Sequence, residues 1–267
     1  MNRELHIRGA KVWDGEQSVE RDLFIKNRRI VDRKPNSALE VDLEGYTLFP
    51  GMVNAHDHLE LNHYPRTKFR EVYDNAHQWG KDVNARLDSE PFRTLRRYPL
   101  KDRLFIGGLK NLLCGATTVA HHGPKYREMY ARDFPVRVLK NYGWAHSLHF
   151  DTDEEIVRSY KKTPKNHPFF IHLAEGTDEV AAGEYQQLKT LLPNMLPFET
   201  VIIHGNGLWN GDLPSDIDDV QIVWCPSTHH YLLGETYLNN TNIDTIHAPN
   251  AFAVRRESLP SANAFGA

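Results

Sequence analysis

Residues 3–49 alternate apolar and polar side chains in three short runs, LHIRGAKVWDG, DLFIKNRRIVDR and ALEVDLEGYTLFP. Turn signals such as Asp14-Gly15 and Pro35-Asn36 separate the runs. Alternation with a period of two is typical of β-strands that bury one face. The pattern therefore predicts a small β-structured region over residues 1–50, which precedes the main domain.

After residue 50 the pattern changes to short apolar runs separated by stretches with helical periodicity. Strands that alternate with helices are typical of parallel sheets, so residues 51–237 are predicted to form an α/β domain, either a barrel or a doubly wound sheet. The predicted strands are 48–53, 116–121, 136–139, 145–150, 169–173, 201–204 and 221–225. The predicted helices are 101–113, 152–162 with Thr152 as N-cap, and 177–192 with Thr177 as N-cap.

Three stretches fit this alternation less simply. Residues 136–150 are compatible with one strand or with two. Residues 59–100 form a long polar connection, and a connection of that length is usually functional or carries its own helices. Residues 238–267 have no sustained period and many Asn, Ser, Ala and Pro residues. We expect that last stretch to be an atypical C-terminal tail.

Composition and charge exclude several classes of protein. The chain has 267 residues, of which 40% are hydrophobic and 25% charged, and its net charge of -3 gives no reason to expect a nucleic-acid partner. No apolar run approaches the roughly 20 residues that cross a bilayer, and the N-terminus lacks the apolar core of a signal peptide, so no membrane partner is expected. The two cysteines, Cys114 and Cys225, favour a reducing cytoplasmic location. The sequence does not indicate an oligomeric state.

The chain contains 15 histidines, and several of them end apolar runs. His56 and His58 follow TLFPGMVNA, and side chains at i and i+2 of a strand project from the same side. His172 ends FFIHL three residues before Glu175, and His204 ends VIIH. Because parallel strands place their carboxyl ends on one face, we expect these four imidazoles to converge there. Histidine is the commonest metal ligand, so this convergence predicts a metal site.

Other polar residues are predicted to have supporting roles. His121, His122 and His149 also lie near strand ends, where a role in packing or behind the ligands is favoured. Cys225 is expected to be buried packing, because no second cysteine lies at zinc-site spacing. Lys140 follows the VRVL run, where a solvated side chain is favoured over a carbamylated lysine bridging two metals. The pair His229-His230 is expected to lie in a loop.

Five segments together resemble the amidohydrolase superfamily, in particular its branch of cytosine deaminases and chlorohydrolases. They occur in the order found in the superfamily and cover residues 1–237. The resemblance implies a metal-binding (β/α)8 barrel of the TIM type with a small N-terminal β-sandwich. The segments are LFPGMVNAHDHLE (48–60), GATTVAHHG (115–123), IHLAEG (171–176), VIIHGNGL (201–208) and WCPSTHHYLLGE (224–235).

The resemblance also implies a role for each of the strand-end residues. His56, His58 and His172 match metal ligands, and the expected cofactor is one divalent ion, Zn²⁺ in the first place and Fe²⁺ as the alternative. Glu175 matches the glutamate that carries protons from water to a departing substrate nitrogen. His204 matches the histidine that contacts the attacking water or the oxyanion. The implied reaction is hydrolysis of a C–N bond other than a peptide bond, at an amide, amidine or heterocyclic carbon of a small molecule.

The sequence departs from the superfamily pattern at its C-terminal side. The superfamily places an aspartate after the eighth strand, and the only aspartate after Gly234 is Asp244, which follows no apolar run. In addition, His229-His230 stand where relatives usually carry Ser-Asn and an apolar residue. Residues 51–237 number 187, against roughly 250 in a typical complete barrel. We therefore expect an incomplete barrel that lacks its last strand or strands.

Three hypotheses about function remain open at this point. The first is a metal-dependent hydrolase of the amidohydrolase or deaminase type. The second is an inactive, C-terminally truncated fragment of such an enzyme. The third is a non-catalytic metal-binding protein on the same fold.

Overall fold

The computed structural model describes residues 4–196, 199–209 and 220–236. The predicted tail at 238–267, including Asp244, lies outside the described residues. The chain divides into two compact units, with the boundary between Gly51 and Met52. Among the described residues, no helix combines the length and the apolar character needed to span a bilayer.

The first unit contains seven short strands in two sheets. One sheet has the order β5-β4-β1-β6, with β1 antiparallel to β4 and parallel to β6, and the other has the order β3-β2-β7. These are the two sheets that the predicted N-terminal sandwich requires. The strands are β1 Leu5–Arg8, β2 Lys11–Trp13, β3 Ser18–Glu20, β4 Leu23–Lys26, β5 Arg29–Val31, β6 Leu39–Asp42 and β7 Thr47–Leu48.

The second unit is built on parallel strands whose spatial order follows their order in the chain. One sheet runs β8-β9-β10 and the other β11-β12-β13-β14, and every recorded pairing in them is parallel. A doubly wound sheet would reverse its strand order part-way, whereas a (β/α) barrel does not. The barrel alternative is therefore confirmed. The strands are β8 Met52–Asp57, β9 Ala116–His121, β10 Arg137–Val138, β11 Gly143–Ser147, β12 Phe169–Leu173, β13 Thr200–His204 and β14 Gln221–Val223.

Helices connect these strands, as the periodicity predicts. Helix α4 begins with a complete capping box, in which the Thr152 hydroxyl accepts from Glu155 N and the Glu155 carboxylate accepts from Thr152 N. The predicted N-cap of α5 is wrong by one residue, because Asp178 rather than Thr177 accepts the backbone N–H of Ala181. The helices are α1 Ala76–Asn84, α2 Phe92–Leu95, α3 Leu100–Leu113, α4 Asp153–Lys162, α5 Glu179–Leu191 and the short α6 Pro226–Thr228.

The structure decides two of the ambiguous stretches. Residues 136–150 hold two strands, β10 and β11, which belong to different sheets. The connection at 59–100 carries its own helices, α1 and α2, after a 3-10 turn at Leu59–Leu61. The prediction of a loop at His229-His230 is wrong, because His229–Leu233 form one turn of π-helix directly after α6.

Alternate residues of the central strands enter different apolar clusters. Ile171 of β12 and Ile202 of β13 pack with Tyr185 and Leu188 of α5. Phe170 and Ile203 pack instead with Val223, Cys225 and Ala120, in a second cluster on the face of the strands that does not contact α5. Each fully buried side chain of this size contributes about 1.5–3 kcal/mol to folding. The strands are therefore held on both faces, as expected for a barrel covered by helices.

Candidate metal centre

A bulge in β8 sets the direction of His56 and His58. The register between β8 and β9 shifts between Asn54 and Asp57, and these two residues, three apart, both bond to Asn111 of α3. A regular strand would turn residues three apart to opposite faces, so the bulge brings them to one face. The two histidines that flank Asp57 turn to the other side, where their ring centroids lie 5.0 Å apart.

A buried network of amides holds Asp57 in place between the two histidines. Its Oδ1 accepts from Asn62 Nδ2 at 2.7 Å, and its Oδ2 accepts from Asn111 Nδ2 at 2.6 Å and from Asn54 Nδ2 at 3.1 Å. Gly107 lets α3 come this close, because a Cβ there would lie 2.2 Å from the Leu59 carbonyl oxygen. Bonds to a buried carboxylate are strong and directional, so the network fixes the backbone that carries both imidazoles.

His172 stands at the centre of the site. Its Nδ1 lies 2.8 Å from the His146 carbonyl oxygen, which can only accept, so the ring proton sits on Nδ1 and the Nε2 lone pair is available. Its Nε2 lies 3.2 Å from Nε2 of His58 and 3.2 Å from Nε2 of His56. Two ligands of one tetrahedral zinc ion are about 3.3 Å apart. The spacing of these nitrogens therefore fits a shared divalent ion.

His122 is a fourth imidazole of this site, and the sequence analysis did not select it as a ligand. His122 forms, with His56 and His172, a group whose ligand atoms all lie within 4.8 Å of one another. Its Nε2 donates to the Ala145 carbonyl at 2.8 Å, while its Nδ1 is buried without a hydrogen-bond partner. A lone pair in that state suits a cation, and the carbonyl behind the ring is typical of metal-ligating histidines. Its only signal in the sequence is its position at the end of β9.

Burial keeps these imidazoles neutral. Desolvation, and next the neighbouring His56, lower the pKa of His58 and of His122 well below the usual value. Burial followed by His229 does the same to the pKa of His204. Only a neutral imidazole offers a lone pair, so the site is prepared to bind a cation at neutral pH.

His204 joins the cluster through an unusual backbone conformation. In the alternation of β13 it is in phase with Ile202, which packs toward α5. Its φ of 77° breaks that phase, and its ring lies 5.5 Å from that of His172. A positive φ is uncommon for a residue with a Cβ and persists where surrounding contacts enforce it. Its Nε2 lies 3.3 Å from Glu175 Oε2, so the structure brings these two predicted residues together.

A second left-handed residue directs Glu175. Ala174 has a φ of 55°, and its N–H donates to Glu184 Oε2 at 2.6 Å. The other oxygen of Glu184 lies 2.9 Å from His77 Nε2, which connects α5 to α1. The Glu175 carbonyl in turn accepts the N–H of Ala76, at the start of α1. These bonds fix the turn that follows β12, and with it the position of the Glu175 carboxylate.

A cavity of about 20 Å³ borders the cluster, and His146, His172, Glu175 and Glu184 are among its lining residues. A site of this volume holds about one water molecule when polar groups line it. The cavity therefore gives room for a water beside the Glu175 carboxylate.

The remaining candidates lie away from this centre or support it. His149 is exposed and stacks on His77 at 4.2 Å, and Cys225 is buried packing, as predicted. Lys140 is exposed, with its Nζ 5.4 Å from the centre of the Tyr130 ring. His121 lies behind the site, where its Nε2 is 3.2 Å from the Pro124 carbonyl oxygen.

Comparison with known sequences gives no match, neither to a family model nor to a curated protein. Comparison with solved structures finds a triazine hydrolase variant with a TM-score of 0.61 and 16% identity, over 89% of this chain and 69% of that one. The chain has the fold of these hydrolases. A second match is atrazine chlorohydrolase TrzN from Arthrobacter aurescens TC1 complexed with zinc, with a TM-score of 0.58 and 15% identity, over 88% of this chain and 69% of that one. These matches confirm the fold that the sequence resemblance implies.

Proposed function

We propose that the chain is a metal-dependent hydrolase that acts on C–N bonds other than peptide bonds in a small molecule. The observation that carries the proposal is the position of His172 Nε2, 3.2 Å from the Nε2 atoms of both His56 and His58. Glu175 and His204 lie beside it, with His204 Nε2 3.3 Å from Glu175 Oε2. The reacting carbon would belong to an amide, an amidine or a nitrogen heterocycle.

His56, His58 and His172 would hold the ion, with Zn²⁺ as the first candidate and Fe²⁺ as the second. His122 adds a fourth nitrogen, and its unpartnered Nδ1 supports the fit of a cation at this place. When bound, such an ion supplies Lewis-acid activation of water and of the scissile group. Imidazole suits both metals, so the donor set alone does not separate them.

Glu175 would carry the protons of the reaction. Its carboxylate borders the cavity that has room for a water, and it would accept a proton from that water at one of its oxygens. The same carboxyl group would then return the proton to the departing nitrogen, since a carboxyl within hydrogen-bond reach of both partners can serve as base and acid in turn. The bond from Ala174 N to Glu184 keeps this side chain in place meanwhile.

His204 would stabilise the negative charge that develops on the substrate. Its ring is buried, 5.5 Å from the ring of His172, and its Nε2 lies 3.3 Å from Glu175 Oε2. A neutral imidazole that directs its Nε2–H into a water-excluded site donates to a developing anion without reorganisation. Its place next to Glu175 also lets it influence where that carboxylate rests.

The test is turnover by the purified full chain after loading with Zn²⁺ or Fe²⁺. Ammonia release is followed over a panel of amides, amidines and amino-substituted nitrogen heterocycles. We expect at least one class to be hydrolysed, and Glu175→Gln to keep the metal while losing about 10²- to 10⁴-fold in kcat. His230→Gln, an exposed histidine of the same chain, is the matched control. A folded, metal-loaded chain without turnover would contradict the proposal and favour the non-catalytic metal-binding protein or the inactive fragment.

A further inference from the structure

A continuous chain of polar contacts runs from Trp224 to Glu175 through two imidazoles. Trp224 Nε1 donates to Thr236 Oγ1 at 2.8 Å, and Thr236 Oγ1 lies 3.0 Å from His229 Nδ1. His229 Nε2 lies 3.2 Å from His204 Nδ1. The last contact is the 3.3 Å separation of His204 Nε2 and Glu175 Oε2. Thr236, His229 and His204 are all buried, so water does not compete for these contacts.

At the Trp224 end of this series of contacts, the donor and the acceptor of each hydrogen bond can be assigned. An indole N–H can only donate, so the hydroxyl of Thr236 must accept from it. The hydroxyl keeps its own proton, and His229 Nδ1 at 3.0 Å is in reach to accept it. If it does, the proton of the neutral His229 ring sits on Nε2.

At the Glu175 end, the hydrogen bonds are donated in the same direction, from His229 toward Glu175. The proposed function requires an ionised Glu175, whose carboxylate can only accept, so the proton of a neutral His204 ring is favoured on Nε2, the atom 3.3 Å from Glu175 Oε2. His204 Nδ1 then accepts, and the only direction left for the contact with His229 is donation from His229 Nε2. The opposite arrangement would set a lone pair of His204 against the negative carboxylate.

Each of the two imidazole rings must be neutral, with one proton, for this series of hydrogen bonds to form. Burial of both rings favours the neutral state. Desolvation, followed by the charge of His230, lowers the pKa of His229 to about 3. The His204 ring is buried to a similar extent, and burial disfavours a charged imidazole. Both rings are therefore neutral at pH 7, and each has one donor and one acceptor nitrogen.

We infer that Trp224, Thr236 and His229 form a hydrogen-bond chain of one direction, which fixes His204 in the tautomer whose Nε2–H faces Glu175. The inference deepens the proposed function, on which its catalytic consequence rests. Thr236 and His229 are then positioning residues, since they act on the reaction only through His204. The pair His229-His230 was a departure from the superfamily pattern, and the geometry gives its first member this role.

The direct test is the protonation state of the ring nitrogens in the metal-free full chain, measured by NMR with ¹⁵N-labelled histidine. We expect both His204 and His229 to be Nε2–H tautomers, with a coupling across the hydrogen bond from His229 Nε2–H to His204 Nδ1. A proton on His204 Nδ1 would overturn the inference. Neither outcome depends on turnover, so this test and the test of the proposed function fail separately.

Variants of His229 separate positioning from packing. His229→Gln keeps an amide donor toward His204 Nδ1, and we expect it to retain the Nε2–H tautomer of His204. His229→Leu removes the donor, and we expect a mixture of His204 tautomers and, in the zinc-loaded chain, a loss of about tenfold in kcat with KM unchanged. Equal behaviour of the two variants would contradict the inference.

Thr236→Val provides a second line of evidence if His229→Leu does not fold. The substitution keeps the shape and removes the hydroxyl, so we expect the Trp224 Nε1–H resonance to shift and His229 to lose its single tautomer. Thr200→Val is the matched control, because Thr200 is a buried threonine of β13 that bonds the Leu196 carbonyl outside the chain of contacts. Unchanged His229 signals in Thr236→Val, or the same shift in the control, would overturn the inference.

Discussion

The Nε2 atoms of His58 and His172 lie 3.2 Å apart although the two residues are 114 positions apart in the sequence. Strands from two different sheets end at this point, β8 just before His58 and β12 just after His172. The bulge in β8 and the carbonyl of His146 orient the two rings. The site therefore depends on these two strand ends and on the groups that hold the rings in place.

His122 is expected to contribute to metal binding although sequence reasoning did not select it. We predict that His122→Asn weakens the affinity for zinc by about 10- to 100-fold, the usual effect of removing a group that ligates or supports a metal. His230→Asn, at an exposed position, is the control and should bind zinc as the parent chain does. Isothermal titration with zinc measures both, and equal affinities of the two variants would exclude His122 from the site.

Glu184 is expected to hold the turn that carries Glu175. Glu184→Ala leaves the buried N–H of Ala174 without its acceptor, so we predict a loss of about 1–3 kcal/mol in the free energy of unfolding. Glu184→Gln keeps an acceptor oxygen and should lose less. Urea denaturation measures the difference, with Gln187→Ala on the exposed face of the same helix as the control. A Glu184→Ala variant as stable as that control would contradict the role of the bond.

Asn111 is expected to support the histidines from behind. It donates to Asp57 at 2.6 Å and accepts from Asn54 at 2.8 Å, so Asn111→Ala removes one bond to a buried carboxylate and takes away one of the two acceptors of the buried Asn54 amide. We predict a loss of about 3 kcal/mol in the free energy of unfolding. The exposed Asn194→Ala should change it by less than about 0.5 kcal/mol. Similar denaturation midpoints for the two variants would show that the network does not stabilise the fold.

His229 is expected to make the fold sensitive to acid. Its pKa is about 3 in the folded chain and about 6.5 in the unfolded chain. As the pH falls below 6.5, the unfolded chain therefore binds a proton that the folded chain does not, and the free energy of unfolding decreases. Between pH 7 and pH 5 this amounts to about 2 kcal/mol. We predict that His229→Gln removes that part of the loss, whereas His230→Gln keeps it. Denaturation curves at the two pH values decide, and equal acid losses in both variants would contradict the assignment.

The sequence predicted the parallel strands, three of the six α-helices in the described residues and the convergence of His56, His58, His172 and His204, because strand ends and periodicity are local signals. It did not predict the bulge between Asn54 and Asp57, nor the positive φ of Ala174 and His204, since these depend on contacts with distant elements such as α3 and α5. The roles of the site residues were implied by resemblance and stay predictions.

His122, His229 and Thr236 were missed or misplaced for a related reason. His122 differs from His121 only by one position, and nothing local tells which of the two rings turns toward the cluster. The turn of π-helix at His229–Leu233 has no signature in the sequence, so the contact of His229 with His204 appears only in three dimensions. Thr236 gives no signal at all, because a single hydroxyl is identified only by its partners.

A zinc titration of the purified full chain, with metal content confirmed by mass spectrometry, tests most directly whether these histidines bind a shared ion. We predict one zinc ion per chain, and an affinity at least about 100-fold weaker in His172→Asn, because His172 Nε2 is the atom shared by the contacts with His56 and His58. His167→Asn, at a half-buried histidine outside the site, should bind as the parent chain does. A folded parent chain that binds no zinc, or a His172→Asn variant that binds it equally well, would contradict a metal site at His56, His58 and His172.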